Sequence, residues 1–259
     1  MKMQDAENKL CWRFDFGLIV TGKGERKHLP KLFKSLMNSG ICTFTVIRFA
    51  GQRSPITSPK RILKMVGSNK TLPDKDIEEI GYPAREYLNI SLCNFFILID
   101  DLEYDRREQV QQIFDRYRQA IDTTLKDEQK TRASVHFLVN MLEAYYFADA
   151  NAVNSILNLN PPLKDDSGDV EDIRHPKNEL KALYPGFREV DDGGKILDVM
   201  NVEHVLDRPD TCKWLRTLFA WCVDALKSNP NPDYEEIYRS LAEKYQLENG
   251  QRSDITRKQ

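Results

Sequence analysis

Residues 14–33 read FDFGLIVTGKGERKHLPKLF, and this stretch decides the fold class. Its first seven residues form an apolar, β-rich run, which is typical of a strand buried on both faces. Gly22 and Gly24 follow the run, and the apolar residues after them have the spacing of a helix. A buried strand, a glycine turn and a helix in this order predict the first unit of an α/β fold with a parallel sheet.

The same alternation continues as far as residue 160. Because parallel strands need crossover connections, the pattern predicts a parallel sheet flanked by helices over residues 1–160. The later strands are predicted at 42–49, 94–100 and 134–139, a loop-rich insertion at 51–73, and helices at 103–125 and 141–158.

The chain changes character after residue 160. A polar, proline-bearing segment comes first, and only helical patterns follow it. We therefore expect a helical C-terminal region over 161–250, packed on the α/β domain, and a flexible tail over 251–259. The helices of that region are predicted at 177–184, 195–206, 211–227 and 233–246.

Composition and charge restrict the function. The 259 residues are 41% hydrophobic and 30% charged, as in an ordinary globular protein, and the net charge of -2 excludes a global positive field for nucleic acid. No apolar run could span a bilayer, so we expect no membrane partner and a cytoplasmic location. The cysteines have no metal-binding spacing and predict reduced thiols: Cys11, Cys42, Cys93, Cys212 and Cys222.

Acidic residues follow three of the four predicted strands. Glu25 comes after the first, Asp100 and Asp101 end the third, and Glu143 follows the fourth. In a parallel sheet these strand ends meet at one edge, and clustered carboxylates repel one another unless a cation neutralises them. The pattern predicts a site for Mg²⁺ (or Mn²⁺). Its predicted metal ligands are Glu25, Asp100, Asp101 and Glu103, and its predicted catalytic residues are Glu25, Asp100 and Glu143.

Each acid also has a structural interpretation. Glu25 and Glu143 lie at predicted helix starts, where a carboxylate stabilises the helix in any case. Glu103 fits the first turn of a helix even better than it fits a metal site. Asp100 and Asp101 directly follow a strongly apolar strand, and a functional role is favoured for at least one of them.

Basic residues in two places could contact phosphate. Lys23 and His28 lie in or near the first glycine loop, which opens a helix and suits an anion. The insertion at 51–73 carries basic residues and no acid, so it could bind phosphates, dock an acidic partner or be a solvated loop. The candidates within it are Arg53, Lys60, Arg61 and Lys64.

The strand, glycine loop, Glu25 and helix, followed by a strand ending in Asp100-Asp101, resemble the TOPRIM fold of topoisomerases, primases and OLD-type nucleases. In the OLD-type branch the first loop carries two glutamates four residues apart. Glu25 matches the second glutamate, whereas Thr21 occupies the position of the first. The Asp-x-Asp motif of the family is also altered, because Leu102 stands at its second aspartate.

A narrower resemblance covers most of the chain. The segments MLEAYYFADANAV (141–153), HPKNELKALYP (175–185) and GGKILDVMNVEHVLDRPDTCKWLRTLFAW (193–221) resemble an uncharacterised TOPRIM-like family encoded beside ABC-type ATPases in bacterial phage defence. The resemblance implies a metal-dependent nuclease effector for tRNA or DNA, controlled by the ATPase, as a homodimer or within a larger assembly. Because of Thr21, a catalytically inactive subunit that binds the ATPase or nucleic acid remains the alternative.

Overall fold

A computed structural model describes residues 10–56, 74–228, 231–257 and 259. Its centre is one sheet in which all neighbouring strands are parallel, in the order β2-β1-β3-β4. This arrangement, with helices on the sheet and a helical C-terminal region, confirms the predicted α/β class. The strands are β1 (Phe14–Val20), β2 (Cys42–Phe49), β3 (Asn94–Leu102) and β4 (Ala133–Val139).

The helices connect the strands and form the C-terminal region. Short 3₁₀ segments join several of them. In chain order the helices are α1 (Lys23–His28), α2 (Lys34–Met37), α3 (Tyr82–Ile90), α4 (Val110–Asp122), α5 (Asp127–Lys130), α6 (Ala150–Leu157), α7 (Pro176–Leu183), α8 (Asp191–Val199), α9 (Val202–Val205), α10 (Lys213–Ser228) and α11 (Glu235–Lys244).

The strand order creates a switch point between β1 and β3. The chain leaves β1 toward β2 on one side and returns to β3 on the other side of β1. In open parallel sheets, ligands bind in the crevice at the carboxyl ends of the strands at such a point. The glycine turn after β1 and the aspartates at the end of β3 lie there, since Val20 pairs with Ile99.

The two faces of the sheet belong to two apolar cores. On the first face, Phe16 of β1 and Ile99 of β3 pack with residues of α2, α8 and α10. On the second face, Ile19 and Leu98 pack with α3 and α4. Successive strand residues point to opposite faces, so both cores draw on the same strands. The core on the first face includes residues of α8, α10 and α11 from the C-terminal region.

The helix predicted at 195–206 is two helices, α8 and α9, and two predicted helices of the α/β domain also differ from their expected form. The segment after β3 begins as a 3₁₀ helix at Tyr104–Gln109 before it becomes α4. The segment after β4 is a 3₁₀ helix at Leu142–Ala148, and α6 starts only after Asp149, whose side chain accepts a hydrogen bond from the amide of Ala152. That cap starts a new helix, because Asp is a strong N-cap residue.

The sequence interpretation missed helix α3 and the π-helical turn at Ile77–Gly81 that precedes it. Their buried residues Ile80, Ala84 and Leu88 follow one another at intervals of four, which is a helical signal. The prolines of the preceding insertion obscured it. Residues 57–73 of that insertion lie outside the described part of the chain.

Two further expectations differ from the structure. Cys11 and Cys93 form a disulfide, so the prediction that the thiols are all reduced is wrong for this pair. In the expected flexible tail, Ser253 and Thr256 are buried, and the side chain of Gln259 hydrogen-bonds both backbone groups of Val135 on edge strand β4. Within the described ranges, no helix is long and apolar enough to cross a membrane.

Candidate functional site

The two aspartates at the end of β3 point to opposite faces of the sheet. Ile99 belongs to the core of the first face, so strand alternation directs Asp100 to the second face and Asp101 to the first. Their surroundings agree with this geometry. Asp100 contacts Tyr117 of α4, whereas Asp101 interacts electrostatically with Glu25 and Glu143.

Asp100 is fully buried and fully hydrogen-bonded. Its carboxylate accepts from the hydroxyl of Thr21 at 2.6 Å, from Arg106 at 2.7 Å and from the hydroxyl of Tyr117 at 3.1 Å. Arg106 also donates to the backbone oxygens of Asp101 and Arg53. A buried charge that is paired and bonded in this way holds elements together, because it ties β1, β3 and α4 to one point.

Glu25 lies on the other side of the sheet edge, over the glycine turn. It is 5% exposed, and a Cβ atom added at Gly22 would lie 1.6 Å from its Oε2. Only glycine therefore leaves room for this carboxylate. Burial raises the pKa of Glu25, and Glu189 and Asp100 add to the rise.

Glu143 is brought to the same edge by a sharp turn after β4. Asn140 and Met141 both have positive φ, at 56° and 73°, a conformation that residues other than glycine seldom adopt. Such strain is characteristic of functional sites. Glu143 is 6% exposed, and burial, with smaller contributions from Glu189 and Glu25, raises its pKa to about 7.

Glu25, Asp101 and Glu143 are hereafter called the carboxylate cluster. Burial raises the pKa of Asp101 far above its ordinary value, and the charges of Glu25 and Glu143 raise it further. The charges of the three groups act on one another and burial raises the pKa of each, so they lie near one another at this edge of the sheet. Buried acids with perturbed pKa values at a switch point are a candidate functional site.

Sequence reasoning missed two residues that complete the surroundings of this cluster. The charge of Lys177, on α7, lowers the pKa of all three carboxyl groups, and its Nζ lies 2.7 Å from Glu189. Tyr146 is buried beside them, and burial and the charge of Glu143 raise its pKa. Lys177 had been assigned to a helix start. No spacing rule connects it to acids so distant in the chain.

Several predicted residues lie elsewhere. Glu103 is exposed and precedes a 3₁₀ helix, so it is not part of the carboxylate cluster. Arg53 is 6% exposed and bound to Asp76 at 2.6 Å and to Glu79, so a phosphate would have to displace both. His28 lies on α1, within the described region. The remaining three predicted residues of the insertion, Lys60, Arg61 and Lys64, and the side chain of Lys23 lie outside the described part of the chain.

The carboxylate cluster offers ligands for a hard cation. Oε2 of Glu25 and Oδ1 of Asp101 are buried, with no hydrogen-bond partner within the described ranges. Among the same residues, no three His, Cys, Asp or Glu side chains are arranged to hold a metal by themselves. Mg²⁺ is commonly held by one or two carboxylates together with water and substrate phosphates. The two oxygens fit that kind of site, and the predicted four-residue ligand set is not assembled.

Comparison with known proteins gives one match. No curated protein and no solved structure matches the chain. The sequence model of the family described as "Domain of unknown function (DUF4276)" matches residues 20–219, a range that includes the carboxylate cluster and Lys177. Because this match covers well over half of the chain, the protein belongs to the DUF4276 family.

Proposed function

We propose that the protein is a metal-dependent nuclease that cleaves phosphodiester bonds of tRNA or DNA at the carboxylate cluster. The observation that supports this most strongly is the pair of buried, unpartnered carboxylate oxygens of Glu25 and Asp101 at the switch point. Buried carboxylates without partners are costly, and a divalent cation would remove that cost.

The residues of the site take separate roles in this proposal. Glu25 and Asp101 would hold Mg²⁺ or Mn²⁺, which stabilises negative charge on the oxygens of a phosphodiester under displacement. Glu143, with a pKa of about 7, can accept or release a proton near neutral pH. Lys177 places a positive charge beside the carboxylates, where it can attract a phosphate.

The biological setting belongs to the same proposal and is supported by the sequence resemblance. The protein would act in the cytoplasm as an effector of a bacterial anti-phage system. An ABC-type ATPase encoded nearby would control it, so cleavage can require that partner and a trigger.

The test is cleavage of labelled tRNA and plasmid DNA with Mg²⁺, with Mn²⁺ and with chelator, without and with the ATPase partner. We expect metal-dependent cleavage that falls at least about 100-fold in Glu143→Gln, the usual scale for a general acid or base. The variant Glu108→Gln is a matched control, because Glu108 is exposed on the 3₁₀ helix before α4. It should retain full activity.

Calorimetry supplies a readout that does not depend on activity. The wild type should bind Mn²⁺, and the double variant Glu25→Gln, Asp101→Asn should not. Cleavage that persists in chelator, or Mn²⁺ binding that the double variant retains, would contradict the proposed site.

A catalytically inactive binding subunit is the second candidate function. The observation that favours it is the environment of Asp100, whose carboxylate is occupied by Thr21, Arg106 and Tyr117 and has no evident place for a metal. Absence of both cleavage and Mn²⁺ binding, with and without the partner, would support this candidate over the nuclease.

A further inference from the structure

A second polar site lies beside the carboxylate cluster, between α1 and α8. It is a surface cavity of about 260 Å³. Its wall carries four cationic side chains and one carboxylate, and Asp198 and Asp192 pair with two of those cations, so the local charge remains positive by about one. The titratable groups that line it are Lys27, His28, Lys31, Arg188, Asp191 and Lys195.

Gly194 lines the cavity at the place where α8 meets α1. A Cβ added at Gly194 would lie 2.6 Å from the ring of His28, so any larger residue would force the two helices apart. Lys31 also stabilises the contact between α8 and the segment that follows α1. Its Nζ donates to the carbonyl of Gly194 at 2.9 Å and to Asp198 at 2.6 Å.

The imidazole of His28 lies at the wall of the cavity, packed against Gly194 of α8. Both ring nitrogens of His28 are buried and have no hydrogen-bond partner in the part of the chain that the structure describes. Burial lowers its pKa, and the charges of Lys31 and Lys27 lower it further. A neutral imidazole keeps one N–H donor that a phosphate oxygen can accept.

The remaining cations make only weak contacts of their own. Arg188 lies 3.1 Å from Asp191, and Lys195 lies 3.7 Å from Asp192, with the side chains of both cations more than half exposed. Exposed pairs of this kind contribute little to stability. Lys27 is exposed. These side chains can therefore turn toward an anion at small cost.

The cavity is next to the carboxylate cluster. Glu25 and His28 belong to the same short helix, α1. On α8, the carbonyl of Gly193 accepts a hydrogen bond from Tyr146, whose pKa responds to Glu143, Glu25 and Asp101, while the next residue, Gly194, touches His28. Gly193 and Gly194 therefore lie between the carboxylate cluster and the basic cavity.

We propose that this cavity binds a backbone phosphate of a nucleic-acid strand, next to the phosphate that the carboxylate cluster would cleave. The inference rests on the proposed nuclease function for its substrate class. The cavity would be a separate site that positions the strand. The carboxylate cluster needs a cation before it can bind a phosphate, whereas the basic side chains of the cavity attract a phosphate directly.

The test measures binding without catalysis. The full chain is titrated into fluorescent single-stranded and double-stranded oligonucleotides in chelator, at several salt concentrations, with anisotropy as the readout. We expect Lys27→Ala, Lys195→Ala to weaken binding by roughly tenfold, the loss of about one charge-assisted contact. The slope of log affinity against log salt should fall by about 0.7–0.9 for each lost phosphate contact.

The control is Lys213→Ala, Lys227→Ala, which removes the same charge from exposed positions of α10 that do not line the cavity. The inference is overturned if the wild type binds no oligonucleotide, or if both double variants weaken binding equally. It is also overturned if inorganic phosphate competes as well as an oligonucleotide does, since the cavity would then hold free phosphate. Binding that depends on the cavity, combined with the absence of both cleavage and Mn²⁺ binding with and without the ATPase partner, would instead refute the nuclease and leave the strand site standing.

Discussion

Thr21 occupies the position at which the resembled OLD-type branch has a glutamate, and its hydroxyl has a defined role. It donates to Asp100 at 2.6 Å and accepts from the backbone amide of Asp101 at 3.1 Å. A carboxylate in this place could not donate to Asp100 and would repel it. The residue therefore belongs to the hydrogen-bond network on the α4 face, and the carboxylate cluster forms on the opposite face.

We expect Thr21→Val to destabilise the fold by about 1–3 kcal/mol, because it leaves the buried amide of Asp101 without its acceptor and removes a donor from Asp100. The variant Thr21→Ser keeps both hydrogen bonds and should cost less than about 1 kcal/mol. Urea unfolding of the three proteins measures the difference. Equal stability of the valine variant and the wild type would show that the hydroxyl is not needed.

The sequence identified the three acids of the carboxylate cluster, and their roles stay predictions. Glu25, Asp101 and Glu143 were all identified, since each follows a strand. Alternation along β3 could have separated Asp101 from Asp100, but the resemblance emphasised Asp100 as the first aspartate of its motif. Lys177 could not be found, because its contact with the cluster depends on how the C-terminal region packs.

At the level of elements, the strands were the most predictable part. Their apolar runs are buried on both faces, so sequence and environment agree over the whole length of β1, β3 and β4. Helix continuity was less predictable. The break after β4 depends on the cap at Asp149, which is a favoured N-cap residue, and on the positive φ of Met141, which has no such preference.

Two glycines in helical segments should respond oppositely to alanine. In Gly81→Ala the new Cβ would lie 2.4 Å from the backbone oxygen of Ala120 on α4, and backbone cannot move aside easily. We expect a loss of about 1–3 kcal/mol from overpacking. Gly24 has no atom within 4 Å of such a Cβ, so Gly24→Ala should gain up to about 1 kcal/mol from helix propensity. Thermal unfolding measures both, and a shift in the same direction would contradict the packing argument.

Glu171 gives the start of α10 a pH dependence. Its buried carboxylate accepts from the amides of Trp214 and Leu215 and from the hydroxyl of Tyr145. Burial raises its pKa from 4.5 to about 7, although these hydrogen bonds oppose the rise. Between those two values the folded state binds a proton that the unfolded state has released, so stability falls as the pH rises from 4.5 to 7.

We therefore expect the wild type to lose up to about 3 kcal/mol of stability through this group across that window, at about 1.4 kcal/mol per pKa unit. The variant Glu171→Gln cannot titrate and should lack that loss, whatever its stability at low pH. Urea unfolding of both proteins at pH 5 and pH 8 gives the comparison. Parallel changes in the two proteins would mean that Glu171 does not titrate in this range.

For the whole molecule, the sequence pattern changes at residue 160 from alternating strands and helices to helices alone, but the hydrophobic core continues across this position. The core on the first face of the sheet joins Phe16 of β1 to Phe219 of α10 and Tyr245 after α11. Buried Arg216 adds hydrogen bonds to the carbonyls of Leu206 and Tyr245. Sequence patterns describe local elements, so they predicted the helices of this region and could not show that they complete the core.

The disulfide between Cys11 and Cys93 should stabilise the whole chain. It joins positions separated by 82 residues, and closing a loop of that size contributes about 4 kcal/mol in the chain-entropy model. We expect reducing agent to lower the urea midpoint of the wild type. The double variant Cys11→Ser, Cys93→Ser should match the reduced wild type and should not respond to reductant.

Thiol alkylation of the unfolded, unreduced protein decides whether the pair is oxidised. The disulfide leaves Cys42, Cys212 and Cys222 as the free cysteines, so three modified thiols are expected, rising to the full set of five after reduction. Five modified thiols before reduction would mean that the pair is reduced in the purified protein, as the sequence alone predicts for a cytosolic chain. In that case the urea midpoint of the wild type should not depend on reductant. The two measurements together would then show that the Cys11–Cys93 disulfide is absent from the purified protein.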